Sequence, residues 1–519
     1  FDTQPVVEVQ DVSNNPVPNT GLIIGINVSG VGIGGNSQYA DATTGRATFT
    51  NIKLTGTASV GGYTLTYNTT DGVASTTQVL PLSAGAASKL MLNVTSMNAT
   101  NDVNFPTTTV VTVADAQGNP VLNSTATVSI SAGPAGATMY NTAARTLNSN
   151  NGTVSFPNLK LKGIAQTYTF TYSSTGLTSA NQKIVLGAGA AHHLTITQEA
   201  AGFVNRENFT TQPIVEVRDI SDNLVSTSTA SVTVAITNGN LTGSRTVNAV
   251  GGVATFSGLG KNGKVDTTKV LTFSSGVLAS ASQAAFTLTH GVATSIGTYA
   301  GTNGVSDIAS GQFKNDTLFG TQPKVAIVDA DNNIVNTGTA ATQTVTVSSS
   351  PAGISGTTTV TAVGGLATFT GLKVTGTIGD YAITYTANTS NLTASRTYTL
   401  TVGDANKLGL VTEAAGFKVA ETWTTQPVVE IQDVSGNKVS TATNTVTVSR
   451  TTGTATLGGI LSRAASVGTA TFSGLYANGT VGSNTITFAA TGLTSVTQTI
   501  TLAFGAASQL AVSPGGLSP

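Results

Sequence analysis

"FDTQPVVEVQDVSNNPV", residues 1–17, decides the fold because the chain returns to it four more times. It comes back as FPTTTVVTVADAQGNPV at Phe105, FTTQPIVEVRDISDNLV at Phe209, FGTQPKVAIVDADNNIV at Phe319 and WTTQPVVEIQDVSGNKV at Trp423. The spacings are 104, 104, 110 and 104 residues, and repetition at a near-fixed period signals one structural unit used in tandem. Inside the stretch Val7 and Val9 alternate with Glu8 and Gln10. That period of two is the pattern of a strand with one face turned inward. The Asp, Asn, Gly and Pro residues that follow are turn formers.

A second marker lies about fifty residues into each copy: GRATFTNIKL, GTVSFPNLKL, GVATFSGLGK, GLATFTGLKV and GTATFSGLYA. Alternating strands such as YTLTY, YTFTY and YAITY come next, then a Thr-rich strand that runs into a glycine. Those glycines, Gly85, Gly189, Gly291, Gly403 and Gly505, mark the unit boundaries. Each unit offers about seven short strands and no helical pattern, and roughly 100 residues with that content predict an antiparallel β-sandwich. The chain therefore reads as all-β, with units at 1–85, 86–188, 189–290, 291–402 and 403–504. Unit 1 is expected to lack its first strand, and residues 505–519 read as the orphan first strand of a next unit. Linkers such as LSAGAASKLML and LAFGAASQLAV leave few residues between strands, so the string should be an elongated, semi-rigid rod. At about 3.3 Å per strand residue, a unit would be roughly 40 Å long and five of them roughly 200 Å.

The run PVVEIQDVSGNKV, followed by GTATFSGL and a final alternating strand pair, resembles the bacterial immunoglobulin-like domains of invasin- and intimin-type adhesins and of surface-layer proteins. The resemblance covers essentially the whole chain and is structural. It implies five tandem immunoglobulin-like sandwiches on the surface of a bacterium or archaeon, and it carries over no catalytic residue. The Cys–Trp–Cys core of antibody domains is absent, since the chain has no cysteine.

Composition narrows the function classes. Only 9% of residues are charged, against about 25% in typical soluble domains, yet the abundance of Val, Ile and Leu argues against disorder. With 22 basic and 23 acidic residues the net charge is −1, and no basic stripe forms, so nucleic acid is not an expected partner. No run of about 18 apolar residues could span a bilayer. Without cysteine, neither disulfides nor thiolate chemistry is available.

Catalytic constellations are not evident, and the chain reads as a non-enzyme without a cofactor. His192, His193 and His290 fall in linkers and form no metal-protease or deaminase pattern, although the adjacent pair could bind a transition metal. The Gly-rich SGVGIGGNSQ contains no phosphate-loop signature. The recurring acid, Asp11, Asp115, Asp219, Asp329 and Asp433, has two readings. One is calcium, for which Asp329, Asp331 and Asn333 stand at alternate positions. The other, favoured, is that each Asp ends a strand and accepts backbone N–H bonds in the following turn. Asn27, Asn68, Asn93, Asn98, Asn240, Asn388 and Asn478 begin Asn-x-Ser/Thr triplets, which permit glycosylation in a secreted protein. Trp423 takes the slot that Phe fills elsewhere, and a core or junction role is expected for it.

Two functions fit such a rod. It is a structural subunit or segment of an extracellular filament, sheath or surface layer, or it is the stalk of an adhesin that holds a receptor-binding tip away from the cell. The expected partners are copies of itself, end to end and laterally, the cell envelope and glycans. Unit 4 carries the largest insertion, GTYAGTNGVSDIASGQFKND, a candidate contact loop. The ends suggest strand exchange, with Leu510 and Val512 as inward plugs that match Leu90 and Leu92, and with Val7 and Val9 of unit 1 as acceptors. A window cut from a longer array explains the same ends. Joining Pro519 to Phe1 leaves nine residues between Leu510 and the aromatic, where the linkers of units 2, 3 and 5 have fourteen. Both readings stay open at the level of sequence.

Overall fold

A computed structural model describes residues 1–18, 21–35, 37–39, 43–143, 145–146, 152–265, 269–297 and 312–511. Among these the chain is nearly all strand, with one 3-10 turn at Thr339–Thr342. Buried apolar side chains fall into five clusters, each drawn from one repeat. At the centre of each cluster the Phe of the second marker meets an aromatic ring of the following strand. The pairs are Phe49–Tyr67, Phe156–Tyr172, Phe256–Phe273, Phe369–Tyr385 and Phe472–Phe488, with centroids 5.4–5.8 Å apart. Such tilted contacts suit the ring quadrupoles and fill the space between two sheets.

Unit 2 shows the layout. One sheet orders Thr153–Phe156, Thr109–Ala114 and Lys89–Leu92. The facing sheet orders Ser96–Thr100, Ala180–Gly187, Thr167–Ser173, Thr127–Gly133 and Arg145–Thr146. The opening segment is thus divided between sheets. Its first half runs antiparallel to Thr109–Ala114, with Leu90 opposite Val113 and Leu92 opposite Val111. Its second half runs parallel to the last strand, with Met97 opposite Ile184. This order, with its split first strand, is that of an immunoglobulin-like sandwich.

Units 3, 4 and 5 repeat both halves. His193–Gln198, Ser295–Gly297 and Lys407–Thr412 pair antiparallel with Ile214–Arg218, Lys324–Val328 and Val428–Gln432. Parallel bridges follow at Val204–Thr289, Gln312–Thr399 and Lys418–Ala503. In unit 1, Val6–Glu8 pairs with Arg46–Thr48, and Thr76–Leu82 pairs with Ser59–Thr69. Among the described residues no strand lies on the other edge of either. The core of unit 1 accordingly has seven buried members where the others have fifteen to nineteen.

Candidate functional site

The recurring acid does more than end a strand. In each unit its Oδ1 accepts the backbone N–H groups two and four residues on, as Asp219 does from Ser221 (2.8 Å) and Asn223 (3.0 Å). This is the expected Asx turn. The second oxygen faces the preceding unit. The linker glycines Gly85, Gly189, Gly291 and Gly403 donate their N–H to Oδ2 of Asp115, Asp219, Asp329 and Asp433 at 2.7–2.9 Å. Asn101, Asn205 and Asn315 of the preceding unit donate through Nδ2 to Oδ2 of Asp219, Asp329 and Asp433 at 2.7–2.8 Å.

The Asn four residues after each acid completes the joint. Asn119, Asn223, Asn333 and Asn437 donate to the carbonyls of Gly56, Gly163, Gly263 and Gly376 in the preceding unit at 2.8–2.9 Å. Their Oδ1 atoms accept the N–H of Ala58, Ala165, Val265 and Ile378 at 2.6–3.1 Å. One amide side chain thus pairs both ways with one turn of its neighbour. The linker glycine is required by space, because a Cβ at Gly189, Gly291 or Gly403 would lie 2.5–2.7 Å from the carbonyl oxygen of Asn101, Asn205 or Asn315.

The electrostatics follow. Burial raises the carboxyl pKa of Asp115 and Asp219, but the bonds from Asn and Gly N–H groups outweigh it and hold both down to about 2. Asp329 and Asp433 are lowered by the same balance. The calcium reading of Asp329, Asp331 and Asn333 does not fit this arrangement. The oxygens of Asp329 are directed at N–H donors of Asp331, Asn333, Gly291 and Asn205. Asn333 offers the carboxylate its Nδ2, and Asp331 is held by Asn205 and by both arms of Arg206 at 2.7–3.0 Å. A cation needs lone pairs, and here they are taken.

The other sequence candidates are placed as follows. His193 meets Asp222 at 2.8 Å and stands edge-on to His192, while His290 bonds Thr337 Oγ1 at 2.7 Å. Among the described residues no three His, Cys, Asp or Glu side chains gather to hold a metal. The seven triplet asparagines are all exposed. Trp423 is buried in the core of unit 5, edge-on to Phe417 at 5.3 Å. Most of the unit 4 insertion, and Val512, lie outside the described residues.

The remaining feature is the open edge of unit 1. Val7 and Val9 are half-buried, whereas their counterparts Val111 and Val113 are fully covered by Leu90 and Leu92. Phe1 is 39% exposed, against 3% for Phe209 and 2% for Trp423. A groove of about 920 Å³ lined by Val7, Tyr67, Gln78 and Leu80 adjoins a second of about 480 Å³ that reaches Val9 and Asp11. The turn at Asp11 is already formed, with Ser13 N–H at 2.8 Å and Asn15 N–H at 2.9 Å. At the far end of the chain Leu510 is fully exposed.

No family model matches the chain, and no curated protein matches it. Among solved structures it is similar to the human desmocollin-1 ectodomain, at 10% identity over 98% of this chain and 97% of that one, with a TM-score of 0.27. It is similar to the protocadherin γB4 extracellular domain at 12% identity, over 97% and 82% of the two chains, with a TM-score of 0.29. It is also similar to invasin, a bacterial integrin-binding protein, at 16% identity, over 79% and 78%, with a TM-score of 0.27. At such scores the fold rests on the strand pairing above.

Proposed function

We propose that the chain is a structural subunit or segment of an extracellular cell-surface filament, sheath or surface layer, acting by shape and self-association rather than by catalysis. In this reading the five sandwiches form a stiff rod and copies join end to end by strand complementation. The observation that supports it is the repeated polar lock. Four successive joints use the same carboxylate, the same amide and the same linker glycine in the same roles. Hydrogen bonds to a buried charge contribute about 1.5–3 kcal/mol each, enough to hold one mutual orientation against thermal bending. A surface with few ionisable groups also suits exposure to changing conditions. The same rod would serve an adhesin stalk, and the uniformity of the five cores favours the structural reading.

Small-angle scattering and negative-stain imaging test it. The chain should appear as one extended shape of roughly 200 Å, and replacing Asn119, Asn223, Asn333 and Asn437 together by Ala should turn it into loosely jointed beads. A wild-type chain that already behaves as loose beads would rule the rod out.

A further inference from the structure

A glutamine in the last strand controls how each opening segment crosses from one sheet to the other. Gln283 accepts the N–H of Ala200 and donates to its carbonyl, at 2.9 and 2.8 Å. Gln498 holds Ala414 in the same way, at 3.0 and 2.7 Å. Gln182 donates to the Val94 carbonyl at 3.0 Å. All three are buried. Unit 4 carries Arg396 at this strand position, opposite Ile383, and there the crossing is replaced by the long insertion.

Unit 1 has the glutamine. Gln78 stands opposite Leu65, as Gln182 stands opposite Phe170. Its Oε1 accepts the hydroxyl of Tyr67 at 2.9 Å, as Gln182 Oε1 accepts that of Tyr172. Yet Gln78 is exposed and lines the open groove. Unit 1 therefore presents every acceptor of a first strand together: the edge of Val6–Glu8, the apolar floor at Val7 and Val9, the crossing amide of Gln78, and the carboxylate of Asp11.

The chain also contains a matching donor. GAASQL at 505–510 differs from GAASKL at 85–90 in one residue. Gly85 bonds Asp115 and Leu90 pairs with Val113, so the same register sets Gly505 on Asp11, Leu510 opposite Val9 and Val512 opposite Val7. In units 3 and 5 the residue held by the glutamine lies six beyond the first inward leucine, at Ala200 after Leu194 and Ala414 after Leu408. Six beyond Leu510 is Gly516, a residue without a side chain to obstruct the crossing.

We propose that the groove of unit 1 binds residues 505–516 of a second copy as its first strand, with Gln78 holding the crossing at Gly516. This rests on the reading of the chain as a self-associating rod and names its partner and contact residues. Main-chain hydrogen bonds along Val6–Glu8 supply affinity, and the alternate apolar side chains fix register. Asn15 would meet Gly479 and Val481 of the donor copy, which correspond to Gly376 and Ile378 at the joint of units 4 and 5. The joint between copies would differ in one bond, because Val419 stands where Asn101, Asn205 and Asn315 stand. The contact is heterologous and does not close, so it propagates.

The test is complementation between full-length chains. Leu510→Asp disables the donor at a fully exposed position, and Val7→Asp disables the groove. Wild type should form end-to-end strings by light scattering and imaging, each variant alone should stay single, and their equimolar mixture should stop at dimers. Dimers in the mixture also show that the working end of each variant is folded. Gln78→Ala should weaken association by up to about tenfold. Strings that survive Leu510→Asp, or a wild type that stays single because its groove is filled from its own chain, would overturn the proposal. A straight chain that fails to associate removes the partner but not the rod, whereas a loosely jointed one removes the rod itself.

Discussion

One amide side chain is asked to do different amounts of work in different units. Asn223 holds its own turn through Asp219 and grips Gly163 and Ala165 of the unit before it, all while buried. Asn15 occupies the same place in the same turn, but it is exposed and bonds only Asp11. Asn223→Ala should therefore cost about 1.5–3 kcal/mol, because it strips donors from a buried carboxylate and leaves Gly163 O and Ala165 N–H unpaired. Asn15→Ala should cost less than about 1 kcal/mol. Thermal unfolding of the two variants against wild type measures the difference, and equal costs would show that the contact with the neighbouring unit contributes nothing. The turn role of the acid was legible from its place after an alternating strand. The joint was not, because its partners Asn101, Asn205 and Asn315 lie more than a hundred residues earlier, in another copy of the repeat. The signal that could have revealed it is the Asn placed four residues before the aromatic of units 2, 3 and 4, replaced by Val419 in unit 5.

At the scale of strands and turns the repeat was readable because its markers have local causes. The Gln of TQP closes a loop: Gln426 donates to the Trp423 and Leu475 carbonyls at 3.0 and 3.1 Å and accepts Leu475 N–H at 2.8 Å. The glycine that opens GTATF has a steric cause. Gly468 has φ 70°, and a Cβ there would collide with the Val439 carbonyl. Gly474, six residues on, has φ 72° with open space around it. Gly474→Ala should cost about 1 kcal/mol for the left-handed backbone alone. Gly468→Ala should cost several times more, since a side chain cannot be placed without moving the backbone of the strand beside it. Protease sensitivity or hydrogen exchange confined to unit 5 would report both, and similar losses for the two would refute the steric explanation. The split of the opening segment between two sheets was harder to see. It depends on a buried Gln in the last strand, nearly ninety residues away, and a glutamine in a Thr-rich strand looks like any other polar residue of the solvent face.

For the whole molecule the consequence is a pH dependence shared by all joints. Each joint is built on a carboxylate held by uncharged N–H donors, and Asp115 and Asp219 keep their charge down to about pH 2. A free Asp titrates near 3.9, so the native joints favour the ionised form. Their contribution is complete above about pH 4 and is lost as the pH falls through about 2. The sandwiches themselves are held by apolar cores that do not titrate. Scattering curves of the chain should therefore coincide from neutral pH down to about 4, then broaden toward pH 2 as the joints loosen while the strand signal in circular dichroism persists. The joint between units 3 and 4 carries one extra element, the Arg206–Asp331 pair at 2.7 Å, whose arginine is 51% exposed. Exposed pairs contribute about 0.2–1 kcal/mol and are screened by salt, so raising ionic strength at neutral pH should widen the bend distribution at that joint alone. Equal widening at all four joints would mean that long-range charge, not the local bonds to each carboxylate, sets the stiffness of the rod.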